Sequence, residues 1–349
     1  ISLLEDTKQL TAEYRELDRS LNSALTQLLK LGDFKAKPNE TTILYPTGKS
    51  GCPRILVVGL GKRKDLKLNI LRQAAGTAFR QAAKLGAARC GLALHLPAAP
   101  EKLDPEQIAQ VITEGAIFGS YNDKDHISTT SDTPKTSAAS SLTLLEPDPR
   151  RSAKIKKGAA AGQIIAAAQN RARMIANRPG CEINPPLLAK EAQKIARQAD
   201  LQCTIFDEKK LAKMKMNAIL AVGSGSASKP RLTVLKYNGR KGLKMIDVVV
   251  IGKAITFDSG GLSLKPSEHM ESMKFDKSGG CNTIAILTAA ARLKLPLNIV
   301  GLIPSAENLP SHTSYRPGDI ITTYSGKTIE VQNTDAEGRI ILSDALAYA

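Results

Sequence analysis

The sequence predicts an α/β protein built as two units, each a sheet covered by helices. Three observations carry this reading. Short β-branched and apolar runs alternate with helical stretches along the whole chain. An Ala-rich stretch with helical spacing, 152–177, separates two such blocks and is stopped by Asn177-Arg178-Pro179-Gly180. The run IDVVVIG at 246–252 is almost continuously apolar, as a central strand buried on both faces should be. A chain of 349 residues is long enough for two sizeable cores.

The first unit is expected over 1–150. TTILYP, RILVVGLG, CGLALHL and SLTLLE read as its strands, with LKLNILRQAAGTAFRQAAKLG as a helix among them. Residues 126–141 are polar and rich in Ser and Thr, and read as a long exposed loop. A connecting helix is expected over 151–177, and a second α/β unit over 178–349. In that unit LLAKEAQKIARQA reads as a helix, and AILAVG, RLTVLKY, IDVVVIG and NIVGLIP as strands of a mostly parallel or mixed sheet. TIAILTAAARLK is a helix between the last two. YSGKTIEVQ reads as strand–turn–strand and IILSDALAYA as a helix.

Composition narrows the function classes. Trp is absent and aromatics make up 4%, so the cores must rely on Ala, Leu, Ile and Val. No apolar run approaches the roughly 18–20 residues of a membrane helix. The N-terminal ISLLEDTKQL has no basic region followed by an apolar one, so no signal peptide is expected. Five scattered Cys without a CxxC fit free thiols in a reducing cytoplasm. The formal charge of +16 reads as solvated faces or as attraction to nucleic acid or another polyanion; no zinc-finger or RNP pattern accompanies it. GKS at 48–50 and GLGKRK at 59–64 lack the glycines of phosphate and dinucleotide loops, and read as turns.

The candidate chemistry lies in two segments. NTDAEGR, 333–339, gathers Asp335, Glu337 and Arg339 at a strand-to-helix junction, and 252–280 sets Lys253, Asp258, Lys265 and Asp276 among glycines and apolar residues. Only four His are present and none form HExxH, so carboxylates must build any metal site. Lys253 follows a buried strand, where an ammonium is costly; it needs a carboxylate partner, or a metal that holds its amine neutral. Asp258, Asp276, Asp335 and Glu337 could share a pocket only with cations, and two divalent ions roughly 3.5–4 Å apart would neutralise them. Lys265 and Arg339 would then suit a substrate carbonyl and a small anion. The plainer alternative is simple ion pairing, Lys253 with Asp258 and Arg339 with Glu337.

These segments resemble the leucyl (cytosol) aminopeptidase family. NTDAEGR is that family's signature, GKAITFDSGGLSLKPSEHMESMKFD resembles its first metal-binding segment, and 307–349 is similar throughout. ANRPGCEINPP and, more weakly, 219–239 and RILVVGLGKRKDL are also similar. The resemblance implies an N-terminal macro-domain-like α/β domain and a C-terminal α/β catalytic domain with a mixed central sheet. It implies a two-metal aminopeptidase that releases leucine and similar N-terminal residues from peptides by a metal-bridging hydroxide. Asp258 and Glu337 would bridge two ions (Zn²⁺, Mn²⁺ or Mg²⁺), Lys253 and Asp276 would complete the tighter site, and Asp335 the looser one. Lys265 would polarise the scissile carbonyl, Arg339 would hold a bicarbonate as general base, and Met273 would line the side-chain pocket. A homohexamer is implied for a full-length member, and some members bind DNA.

Three departures stand out. Ala254 replaces the usual Gly. Lys277 stands where Met is usual, next to Asp276: pointing away it spares the site, pointing in it alters metal affinity or substrate preference. The family continues past this chain's last helix, so the chain reads as C-terminally truncated, with the catalytic domain incomplete. A polyanion-binding protein and an inactive fragment are therefore the competing readings.

Overall fold

A computed structural model describes residues 1–7, 9–46, 51–93, 103–123, 126, 128, 141–240, 242–243 and 245–349. Gly48, Lys49 and Ser50 of the GKS turn, and most of the Ser/Thr-rich 126–141 stretch, lie outside the described residues. Two compact units are present, Ile1–Ala167 and Ala168–Ala349.

The first unit comprises β1 (Ser2–Leu3), α1 (Ala12–Ser20), α2 (Ala24–Leu31), β2 (Thr41–Leu44), β3 (Ile55–Gly59), α3 (Leu68–Lys84), β4 (Arg89–Ala93), α4 (Pro105–Ser120), β5 (Ser141–Leu145) and the first part of α5 (Ser152–Asn177). β3 lies between parallel β1 and antiparallel β2, while β4 and β5 pair in parallel. Val58, Leu71, Ala75, Ile108 and Ile112 are among the buried residues that join this sheet to α3 and α4.

The second unit continues with α6 (Pro185–Gln198), β6 (Gln202–Phe206), α7 (Glu208–Lys213), α8 (Asn217–Val222), β7 (Arg231–Asn238), β8 (Val248–Ile251), β9 (Ala254–Asp258), α9 (Ser267–Met270), α10 (Ser278–Arg292), β10 (Asn298–Asn308), β11 (Ile320–Thr322), β12 (Thr328–Glu330) and α11 (Glu337–Tyr348). Its sheet is mixed. β10 runs antiparallel to β7 on one side and parallel to β8 and then β9 on the other, and β6 extends the sheet beyond β7. The end of α5 with α6 and α10 covers one face through Ile175, Leu188, Ile195, Ile284 and Leu287. α8 and α11 cover the other through Ile219, Val222, Ile340 and Ile341. α6 starts where the Asn184 side chain accepts from the Leu187 amide, with prolines in the first turn that need no amide partner.

Two sequence expectations change here. IDVVVIG forms β8 at an edge of the sheet among the described residues, with Val248 43% exposed. Its unbroken apolar character comes from serving both helical layers, since Val249 and Ile251 pack toward one core and Val250 toward the other. The central, wholly buried strand is β10. AILAVG is not a strand but part of α8, with Ala218, Ile219 and Val222 buried along one helical face.

Asp344, fully buried on α11, explains why α8 starts where it does. Its Oδ2 accepts from the Ile219 amide at 3.0 Å and its Oδ1 from the Tyr324 amide at 2.7 Å. Asp344→Ala leaves these donors buried without partners, so it is expected to lower stability by about 3 kcal/mol. Urea unfolding midpoints of the two proteins measure this.

Candidate metal centre

The parallel pair β9–β10 ends with Asp258 opposite Asn308, and the site is built at this carboxyl end. Between β8 and β9 the chain leaves the ladder at Gly252 and Lys253. α10 begins against this break, with the Gly280 amide donating to Lys253 O at 2.8 Å. Lys253 thus projects from an interruption in the sheet rather than from a strand end.

After β9, Gly260 and Gly261 both adopt positive φ, +87° and +69°, and turn the chain back so that the Lys265 amide reaches Ser259 O at 2.9 Å. This loop brings Lys265 over Asp258. A 3₁₀ turn, Glu271–Phe275, sets Asp276 just ahead of α10. A second, Thr334–Ala336, sets Asp335, and Glu337 opens α11, where the helix N-terminus favours a negative charge.

The two signature segments are tied together by residues that sequence reasoning missed. Asn308 Nδ2 donates to Asp258 Oδ1 at 2.9 Å and to Thr334 O at 3.0 Å. The buried Tyr315 hydroxyl also donates to Thr334 O, at 2.6 Å. Thr334 Oγ1 donates to Gly260 O at 2.6 Å and accepts from the Ser263 amide at 2.8 Å. The signal in the sequence was the polar pair Glu307-Asn308 ending an apolar strand.

The structure brings Lys253, Asp258, Lys265, Asp276, Asp335 and Glu337 into one cluster. Lys253 Nζ lies 2.8 Å from Asp276 Oδ2 and 2.6 Å from Glu337 Oε1. Lys265 Nζ lies 3.1 Å from Asp258 Oδ2 and also meets Asp335 Oδ1. The expected ion pairs of the plainer reading do not form: Lys253 pairs with Asp276 and Glu337 instead of Asp258, and exposed Arg339 makes no ion pair among the described residues. Met273, half-buried, sits on the turn that carries Asp276. Lys277 points away from the cluster into backbone carbonyls.

Electrostatics disfavours this arrangement without further cations. Four carboxylates face two ammonium groups. Burial is the largest influence on Glu337 and Asp276 and holds both above the usual carboxylate range. The carboxylates beside Lys253 hold its ammonium above the ordinary lysine value, although burial opposes them. Glu337 is 1% exposed, and its Oε2 has no hydrogen-bond partner. One oxygen from each of Asp258, Asp335 and Glu337 lies within 4.8 Å of the others. An orphaned buried oxygen inside a converging all-oxygen donor set fits a divalent cation.

Residues 170–349 match the catalytic-domain model of the cytosol aminopeptidase family, and residues 1–129 match its N-terminal-domain model. The probable cytosol aminopeptidase of Roseiflexus castenholzii is 40% identical over 332 residues, covering 95% of this chain and 67% of that protein. That of Geobacter sp. (strain M21) is 39% identical over 340 residues, covering 96% and 67%. Among solved structures, the bottromycin maturation enzyme BotP in complex with Mn is similar with a TM-score of 0.80 at 29% identity, over 99% of this chain and 67% of that one. The chain therefore spans about two thirds of the length of these relatives.

Proposed function

The chain belongs to the cytosol aminopeptidase family, and from that premise we propose that it releases N-terminal residues, leucine and similar ones, from peptides by two-metal hydrolysis. The observation that carries this reading is the convergence of Glu337, whose buried Oε2 has no hydrogen-bond partner, with Asp258 and Asp335, one oxygen of each lying within 4.8 Å of the others. Asp258 and Glu337 would serve both ions, Lys253 and Asp276 one of them, and Asp335 the other. Bound there, Zn²⁺, Mn²⁺ or Mg²⁺ would supply a low-pKa water and a positive field for a developing oxyanion.

The chain's own groups have separate tasks. Lys265, held between Asp258 and Asp335, would meet the scissile carbonyl with a cation and donate to its oxygen. Lys253 must give up its proton to act as a ligand, and its two carboxylate partners keep its amine aimed at the site. Arg339 offers an exposed guanidinium on the first turn of α11, suited to bicarbonate, which would take a proton from water. Met273 supplies apolar contact for the first side chain of the substrate. No described helix is long and apolar enough to cross a membrane. A homohexamer is our expectation for the full-length protein.

The test is release of p-nitroaniline from leucine p-nitroanilide by the purified chain, with Mn²⁺ or Zn²⁺ and bicarbonate. Activity is expected with metal and none after chelation. Equal rates with and without chelator would refute the metal-dependent reading.

A further inference from the structure

Lys277 is fully buried, and no carboxylate pairs with it among the described residues. Its Nζ donates to Ala176 O at 3.0 Å, to Arg178 O at 2.8 Å and to Lys274 O. All three donors of the ammonium are thereby used. The acceptors come from two places distant in sequence. Ala176 belongs to the last turn of α5, whose terminal carbonyls have no partner within the helix and carry the negative end of its dipole. Lys274 belongs to the 3₁₀ turn that ends at Asp276.

Elsewhere the turn is held by the Ser278 hydroxyl, which donates to Phe275 O, and by the ion pair of Asp276 with Lys253 at 2.8 Å. The Asp276 amide reaches Met273 O at a long 3.3 Å. On the other side of Lys277, α10 is fixed by Gly280 donating to Lys253 O. The residue that ties the turn to the end of α5 is thus the immediate neighbour of Asp276, with its side chain directed away from the cluster.

We propose that Lys277 is a positioning residue for the metal centre: by drawing the carbonyls of Ala176, Arg178 and Lys274 onto one ammonium, it fixes the turn that presents Asp276. Charge-assisted bonds to three carbonyls are strong and directional, so they set the turn more sharply than an apolar side chain filling the same space. This inference rests on the two-metal reading above.

The experiment is Mn²⁺ titration by calorimetry of the full chain and of Lys277→Met, Lys277→Arg and Asp276→Asn, with hydrogen exchange on the unsubstituted chain. The unsubstituted chain is expected to bind two ions. Lys277→Met should weaken one of them by about 10–100-fold, the size of effect seen when a group supporting a metal ligand is removed. Asp276→Asn should weaken the same ion, so the double variant should lose little more than either single one. Lys277→Arg, which keeps the charge and the donors, should recover most of the affinity.

Two ions bound by Lys277→Met with unchanged affinity would overturn the proposal. So would additive losses in the double variant. If Lys277→Met does not fold, the unsubstituted chain still decides. The amides of Glu182 and Ile183, bonded to Pro179 O, should open together with that of Asp276, and independent opening overturns the proposal. Failure of the unsubstituted chain to bind any ion would instead refute the two-metal reading itself.

Discussion

Replacing Glu337 by alanine is expected to reduce hydrolysis of leucine p-nitroanilide by more than about 100-fold, toward the uncatalysed rate. Glu337 is the group that joins the parts of the cluster. One oxygen contacts Lys253, the other is buried without a partner, and the carboxylate converges with those of Asp258 and Asp335. Its removal leaves Lys253 with Asp276 alone and takes away the oxygen most in need of a cation. The fold should survive, because Ile340, Ile341 and Ala345 still seat α11 on the sheet. The checking measurement pairs kinetics with melting. Mn²⁺ at about a hundred times its Kd should stabilise the parent by about 2.7 kcal/mol, and the variant should lose much of that gain. A variant with parental activity would remove Glu337 from the mechanism.

Gly338→Ala should separate stability from activity as well. In an ordinary helix interior this change adds about 1 kcal/mol of stability. Here a Cβ on Gly338 would lie 2.7 Å from Lys253 Cε and 2.9 Å from its Nζ. A lysine tip is flexible and will move rather than unfold the chain. It then leaves the position from which it reaches both Asp276 and Glu337. The melting temperature in chelator is expected to be equal or higher, while kcat falls by about 100-fold, as a displacement near 1 Å at a reacting centre can cause. Parallel loss of both would mean that the glycine serves folding alone.

Much of this site was legible because its residues are out of place by ordinary rules. A lysine after a buried strand, aspartates beside paired glycines and a carboxylate–guanidinium cluster at a helix start each need an explanation, and their types point to cations. The partners were not legible. Lys253 lies near Asp258 in sequence, yet the break between β8 and β9 turns it toward Asp276 and Glu337. The scaffold was missed because Asn308, Thr334 and Tyr315 act through bonds spanning 19 to 74 residues that no local pattern encodes.

The fold shows the same limit. Alternation of strands and helices correctly implied an α/β protein with a mixed sheet. AILAVG was misread because six apolar residues carry no period long enough to separate helix from strand. A buried aspartate 125 residues from Ile219 helps to fix its conformation. IDVVVIG was placed centrally because burial on two faces was equated with neighbours on two sides. Those are independent properties: helices can cover both faces of an edge strand.

The way Thr334 fastens the two ligand-bearing segments to each other bears on when the site comes into being. During synthesis Lys253, Asp258 and Asp276 are made first, while Asp335, Glu337 and the clasp at Thr334 all follow together. A growing chain that has completed β10 therefore carries three of the five candidate ligands, on a loop that still lacks its fastening to Thr334. On the two-metal reading, metal capture would be the closing act of maturation, and a nascent chain would carry no competent site.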